Sequence, residues 1–340
     1  INHPDLLDLD SSTGATVFPK GTTAERPVSP EAGYIRFNTT DNVMETYDGT
    51  EWLTLDTLPF TYAVDYLVVA GGGSGGQSIS GGGGAGGLRS TLTNTGGGGS
   101  LESPLRLTEA VSYSIVVGAG GALVTTNTAI GNAGSNSSFD SITSIGGGAS
   151  YLTSPSTQGA DGGSGGGNRY RPGYAPRSSG TVGQGFDGGF GSDGTSAYTN
   201  GGGGGGAGQI GQDANSTTRV GGYGGNGVQV DITGSSIYYA GGGGGSGADS
   251  AQGPGLGGLG GGGNGSQAYG PSAQNGTVNT GGGSGGGWGA AYPGGSGGSG
   301  VVILRMPTAN YTGNTTGSPT VTTDGSDTIL TYTSSGTYTA

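Results

Sequence analysis

The sequence predicts an all-β protein whose glycine-rich body folds as bundled, extended helices of the polyglycine II type, with little or no α-helix. Three observations carry this. Glycine supplies 88 of the 340 residues and proline another 14, a level that without a strict period normally marks low complexity. Charged residues make up only 9%, whereas disordered chains are charge-rich, so the glycine belongs to an ordered structure. Short apolar runs with β-branched and aromatic content sit between the glycine runs, and none repeats with a helical period.

Composition separates three zones: 1–57, 58–306 and 307–340. The first is acidic, punctuated by proline and poor in glycine. Within it, "GTTAERPVSPEAGYIRFNTTDNVMETYDGTEW" reads as a small β-module. Tyr34 to Asn38 alternate like a strand, Asp41-Asn42 suits a turn, and Val43 to Tyr47 reads as the return strand. Asp48-Gly49 signals a second tight turn before Trp52-Leu53. The module is too small for a core of its own, so Tyr34, Phe37, Tyr47 and Trp52 are expected at a contact between copies.

The second zone holds strand candidates at Tyr66–Ala70, Tyr113–Val117, Ser138–Ile145, Ile237–Ala240 and Val301–Met306. Glycine runs recur near 201, 221, 241, 258, 281 and 296, roughly every ~20 residues, as in repetitive architectures. Such runs cannot hold an α-helix, because glycine loses too much backbone entropy. They can adopt a left-handed helix with three residues per turn, about eight residues spanning roughly 25 Å. Glycine at the contact positions lets neighbours bond backbone to backbone, which gives the buried amides partners. Loops on a β-sandwich are the alternative. In the third zone, Ile329–Thr333 and Thr337–Ala340 alternate around Ser335-Gly336, a hairpin signal. Ile329, Tyr332 and Tyr338 join the expected subunit contact.

"VDYLVVAGGGSGG", "YSIVVGAGGA", "SNSSFDSITSIGGGAS", "GGSGGSGVVILRM" and "ILTYTSSGTYTA" together resemble the glycine-rich domain common in phage structural proteins and tail fibres. The N-terminal module resembles a short module repeated in phage virion and tail-fibre proteins. The resemblance implies a jelly-roll-like β-sandwich core carrying polyglycine-type helices. Similar helices occur in tail-tip adhesins of T-even-like phages, where the joining loops touch the host receptor, and in the glycine-rich extracellular domain of the anaplastic lymphoma kinase receptor. One departure stands out. The "TYTSSGTYT"-like segment, which usually precedes the "DYLVVAGGG" strand, here lies at 328–340. It is expected to open a second unit or to pair with a neighbouring subunit.

Gly71, Gly73 and Gly76 match the dinucleotide fingerprint G-x-G-x-x-G. The match fails its own condition, because "QSISGGGGAGG" cannot supply the helix whose N-terminus holds a pyrophosphate. The chain has no cysteine and one histidine, His3, so no Ser-His-Asp or Cys-His arrangement can form in the body. Asp140, Asp161, Asp187, Asp193, Asp213 and Asp231 are scattered, and read as solvated or turn-forming acids rather than a glycosidase pair. Asp187 and Asp193 are the nearest approach to a Ca²⁺ site, without EF-hand spacing. No catalytic residue, cofactor or metal is expected.

Isolated rings and one basic cluster mark the inserts between glycine runs. Arg169, Tyr170, Arg171, Tyr174 and Arg177 fall in one loop. Phe186, Phe190, Tyr198, Tyr269, Trp288 and Tyr292 fall in others. Tyr, Ser, Gly and Asn are also what adaptable recognition loops use. These residues are expected to bind a host surface glycan or outer-membrane protein, with end-capping of the bundle or a subunit interface as the alternative. A net charge of −12 with ten Lys and Arg leaves no footprint for nucleic acid. No apolar run approaches the ~20 residues of a membrane span. The chain starts at Ile1 without a signal-peptide pattern, as expected of a processed chain or a fragment.

The sequence therefore predicts a non-enzymatic structural virion protein, a phage tail-fibre or adhesin component. Its partners would be itself, as a homotrimer or open polymer, and other virion proteins, and its location a virion or extracellular. A self-assembling extracellular filament or sheath linked by terminal strand exchange is the alternative, with a glycan-cleaving enzyme behind it.

Overall fold

The computed structural model describes residues 18–55, 60–124, 130–150, 158–169, 176–192, 199–248 and 253–340. Two compact units divide the chain, Ile1–Thr61 and Tyr62–Ala340. The boundary expected at 57 thus falls at 61, and the expected third zone is not separate. Its strands complete both sheets of the second unit.

In the first unit, β1 (Lys20–Gly21), β2 (Ile35–Asn38), β3 (Val43–Tyr47) and β4 (Trp52–Thr54) form one sheet in that order. Both expected turns are present. Asn42 takes a positive φ of 57° between β2 and β3, and the Asp48 carboxylate accepts the amides of Thr50 (2.7 Å) and Glu51 (2.9 Å) between β3 and β4. Among the described residues no apolar side chain of this unit is fully buried; Arg36, Asn38 and Glu45 are. Arg26 grips the Glu45 carboxylate through Nε (3.1 Å) and Nη2 (2.6 Å), and Asn38 Nδ2 donates to it at 3.0 Å. Arg36 Nε stands 3.4 Å away. A charged knot, rather than an apolar core, ties this sheet together, and the Arg26 guanidinium holds the Glu45 carboxyl below its ordinary range.

The second unit is a β-sandwich carrying a glycine-helix bundle. Its strands are β5 (Thr61–Val69), β6 (Leu88–Ser90), β7 (Leu105–Thr108), β8 (Ser112–Val116), β9 (Ser137–Phe139), β10 (Ile142–Ser144), β11 (Val228–Val230), β12 (Ile237–Tyr239), β13 (Val301–Pro307), β14 (Thr320–Asp324), β15 (Asp327–Tyr332) and β16 (Gly336–Thr339). One sheet runs β14-β15-β13-β5-β6, with β7 also on β5; the other runs β10-β9-β8-β16.

Strand alternation gives the larger sheet two buried faces. Tyr62, Val64, Tyr66 and Val68 of β5 meet Val302, Leu304, Met306, Ile115, Phe139 and Tyr338 between the sheets. Leu67, Val69, Val301 and Ile303 face the other way, onto Val228, Val230 and Tyr239 of the β11-β12 hairpin and the alanines Ala85, Ala207 and Ala240 of the glycine segments.

The expected hairpin at Ser335-Gly336 is not formed. β15 joins β13 in the first sheet and β16 joins β8 in the second, so the chain crosses from one sheet to the other at this point. The hairpin lies one strand earlier, between β14 and β15, where Gly325 supplies a φ of +59°. The single strand expected at Ser138–Ile145 is two, β9 and β10, broken at Asp140 with a φ of 49°.

The glycine segments bond with a period of three. Gly82 and Ala85 donate to Gly202 and Gly205, Gly83 and Gly86 to Ser284 and Gly281, and Gly84 and Gly87 to Gly148 and Ile145, all at 2.8–3.0 Å. The carbonyls of the same segment receive Ala70, Gly73, Ser164, Gly167 and Gly243. Segment 81–87 therefore has six neighbours, three by its amides and three by its carbonyls. Segments 70–76 and 201–207 repeat the pattern. This is the packing of polyglycine II helices, whose backbone groups lack partners until a neighbour supplies them.

Candidate functional site

Bond register fixes which way each segment runs. Residues 70, 87, 240 and 300 adjoin strands, and Ala207 packs into the core against the larger sheet, so that end of the bundle rests on the sandwich. Residues 76, 81, 201, 246, 287 and 294 mark the opposite, far end. Segments 81–87 and 201–207 run parallel, and 281–287 runs against them. The turns 77–80, 213–220 and 288–292 all lie at the far end. The inserts 151–157, 170–175, 193–198 and 249–252 are outside the described residues, but each joins segments whose described ends are at this end: Ser150 bonds Ser74, Asn168 bonds Gly189, Ser192 bonds Asn200 and Gly247 bonds Ser266.

Serine and asparagine finish the ends of the glycine lattice. Ser284 Oγ accepts the amide of Gly75 and Ser150 Oγ that of Gly76, each at 2.7 Å. The Asn200 side-chain carbonyl takes the Ala248 amide at 2.6 Å, that of Asn264 the Gly257 amide at 2.8 Å, and that of Asn226 the Leu259 amide at 2.9 Å. Each oxygen stands in for a backbone carbonyl of a helix that has turned away.

Two expected recognition residues come together here. Arg177 Cζ lies 4.3 Å from the Phe190 ring centroid, within cation–π range. Its Nη1 donates to Gly188 O (2.9 Å) and its Nη2 to Asp213 Oδ2 (2.9 Å). Asp213 also accepts the Phe190 amide at 2.8 Å. Beside this clip a concavity of about 220 Å³ is lined by Gln212, Asp213, Asn215, Thr218 and Tyr223 among others. Its wall offers amide, hydroxyl and carboxylate groups next to a ring exposed to 41%. Asp213 was legible as an acid; the groove it shares with Tyr223 was not, because it forms only when 212 bonds 223 across two segments.

The other expected residues are dispersed. Tyr269 is 90% exposed. Trp288 and Tyr292 close one far-end turn, the Trp288 amide donating to Tyr292 O at 3.0 Å. Arg169 is half-buried at the end of its segment. Phe186 is not at the far end: its amide donates to Gly206 O near the sandwich, and it packs toward Gly98. Tyr170, Arg171, Tyr174 and Tyr198 lie outside the described residues.

The residues expected at a subunit contact divide in the same way. Tyr34 is exposed, and Phe37, Tyr47 and Trp52 are half-buried. Ile329, Tyr332 and Tyr338 are core residues of their own chain instead. Tyr338 Oη lies 2.8 Å from Tyr62 Oη, joining the last strand to the first of this unit. The pairing of 328–340 with a neighbouring subunit is therefore replaced by pairing within one chain.

The fingerprint glycines have no amides to offer a phosphate. Gly71 donates to Ser135 O (3.0 Å), Gly73 to Gly84 O (2.8 Å) and Gly76 to Ser150 Oγ. Several scattered acids accept hydrogen bonds from nearby backbone or hydroxyl groups. Asp161 accepts the Ser179 amide (2.6 Å), Asp187 the Gly180 amide (2.9 Å), and Asp231 the Ser236 hydroxyl. Asp193 and His3 lie outside the described residues. Among the described residues no group of three potential metal ligands occurs, and no helix is long and apolar enough to cross a membrane.

A family model described as a glycine-rich domain matches residues 48–307. No curated protein and no solved structure matches the chain.

Proposed function

The chain belongs to the glycine-rich domain family, and from that premise we propose that it is a non-enzymatic structural virion protein, a phage tail-fibre or adhesin component that displays loops to the host surface. One observation carries this reading: the described turns 77–80, 213–220 and 288–292 gather at the end of the bundle away from the sandwich, together with the described ends that flank four further inserts. A backbone-bonded lattice costs little side-chain entropy and is stiff, so it suits a spacer. The loops it carries are free to vary without disturbing it. The Arg177, Phe190 and Asp213 clip, with the adjoining groove, is the part of that end best formed for contact with a glycan or an outer-membrane protein.

The rival filament reading has less support, because β15 and β16 already pair within the chain. The test is direct. Gold-labelled antibody to this chain should decorate virion tails, and exchange of 169–177 together with 213–219 should abolish adsorption to the host while the protein stays folded. Labelling away from any virion, or adsorption unchanged by the exchange, overturns the proposal.

A further inference from the structure

A second concavity, of about 250 Å³, lies wholly within the first unit. Tyr34 and Trp52, with two prolines, make its apolar wall, and Lys20, Glu25 and Arg36 make the polar part. The Arg36 side chain is only 7% exposed. A guanidinium carries five N–H donors, yet among the described residues one hydrogen bond is made, from Nη2 to Thr22 O at 2.9 Å. Its Nε is buried without a hydrogen-bond partner, 3.4 Å from Glu45. Glu25 uses one carboxylate oxygen, Oε2, to cap Thr22, which leaves the other as an acceptor. Lys20 sits exposed at the rim.

The mixture of signs decides the ligand class. A carboxylate or phosphate would meet Glu25, and a purely apolar group would leave the Arg36 donors dry. A ligand that rests a C–H face on an aromatic ring and offers both donors and acceptors around its edge satisfies all the groups at once. We infer that this pocket binds a single neutral saccharide residue, its ring against Trp52 and its hydroxyls shared among Arg36, Glu25 and Lys20. The site belongs to the first unit and the far-end loops to the second, and it makes the N-terminal module a binding element as well as a structural one.

The chain has two tryptophans, Trp52 in this pocket and Trp288 in a far-end turn of the second unit. The full chain labelled with fluorotryptophan is titrated with the methyl glycosides of glucose, galactose, mannose and N-acetylglucosamine and followed by fluorine NMR. The Trp52 resonance should shift saturably with at least one of them while Trp288 stays still. Lys20→Ala and Tyr34→Ala, both at exposed positions, should each weaken that binding by about fivefold. A Trp52 signal that no glycoside moves, binding indifferent to both variants, or a shift produced only by a tetraproline peptide overturns the inference.

Discussion

A Cβ placed on Gly204 would lie 2.0 Å from the carbonyl oxygen of Gly83, so these two backbones touch at a separation that only glycine allows. The atom in the way belongs to a main chain held by neighbours on every side, and it cannot swing aside as a side chain would. Gly204→Ala should therefore cost about 3 kcal/mol. Gly289→Ala, where nothing lies within 4 Å of the added atom, should stay within about 0.5 kcal/mol of the parent. Midpoints of chemical denaturation compare the two. Equal midpoints would mean that the lattice is looser than described.

Arg177 combines a ring contact, a backbone hydrogen bond and an ion pair whose partners are partly exposed. Because exposed ion pairs contribute little, most of its worth comes from the other two. Arg177→Ala should destabilise by about 1 kcal/mol, and Arg177→Lys should recover less than half of that, since an ammonium cannot lie flat on Phe190 while reaching Gly188. Hydrogen exchange at the Phe190 amide, which bonds Asp213, should speed up in both.

The two units should respond to opposite ends of the pH scale. Glu45 is held below its ordinary range chiefly by its hydrogen bonds to Arg26. A depressed carboxyl stabilises the fold above its unfolded pKa, and that contribution is lost as pH falls below about 4. Glu45→Gln should cost about 3 kcal/mol at neutral pH by leaving buried guanidinium charge without its counter-ion, and should flatten the acid limb read from Trp52 fluorescence. In the second unit, burial pushes the phenols of Tyr62, Tyr66 and Tyr332 up. Their contribution is complete below about pH 10 and is lost as pH rises beyond it. Ultraviolet titration should show these tyrosines ionising together with unfolding; free ionisation in the folded state would count against their placement.

Four Asn-Gly steps, at Asn200, Asn226, Asn264 and Asn275, would be prone to deamidation in a loose chain, because the following amide nitrogen attacks the side-chain carbon and expels ammonia. Here both reactants are engaged. Leu259 donates to the Asn226 side chain while accepting from Gly227 at 2.7 Å, and Ser296 does the same for Asn275 and Gly276. Mass spectrometry should find deamidation at these four steps slower in the folded protein than in denaturant at the same pH. Equal rates would show that the pairs open freely.

Much of this architecture was legible in the chain itself. The apolar runs at Tyr66 and Val301 announced β5 and β13, since β-branched residues bounded by glycine have few other uses. Asp41-Asn42 and Asp48-Gly49 marked both turns of the first unit. The glycine runs declared extended helices, because no other regular structure tolerates them. The short strands β6, β7, β11 and β14 carried too few apolar residues to signal themselves.

Composition and local pattern determined that the protein is all-β and that its glycines serve backbone contact, because both follow from what each residue permits its own main chain. Only the tertiary structure decided that Tyr338 belongs to its own core, that Phe186 turns toward the sandwich while Phe190 meets Arg177, and that Glu45 anchors a charged knot. Those outcomes depend on which segment lies beside which, and a lattice of near-identical glycine helices carries almost no side-chain information about its neighbours. Register there is set by where serine, asparagine and alanine interrupt the glycine, and their meaning appears only when the helices are side by side.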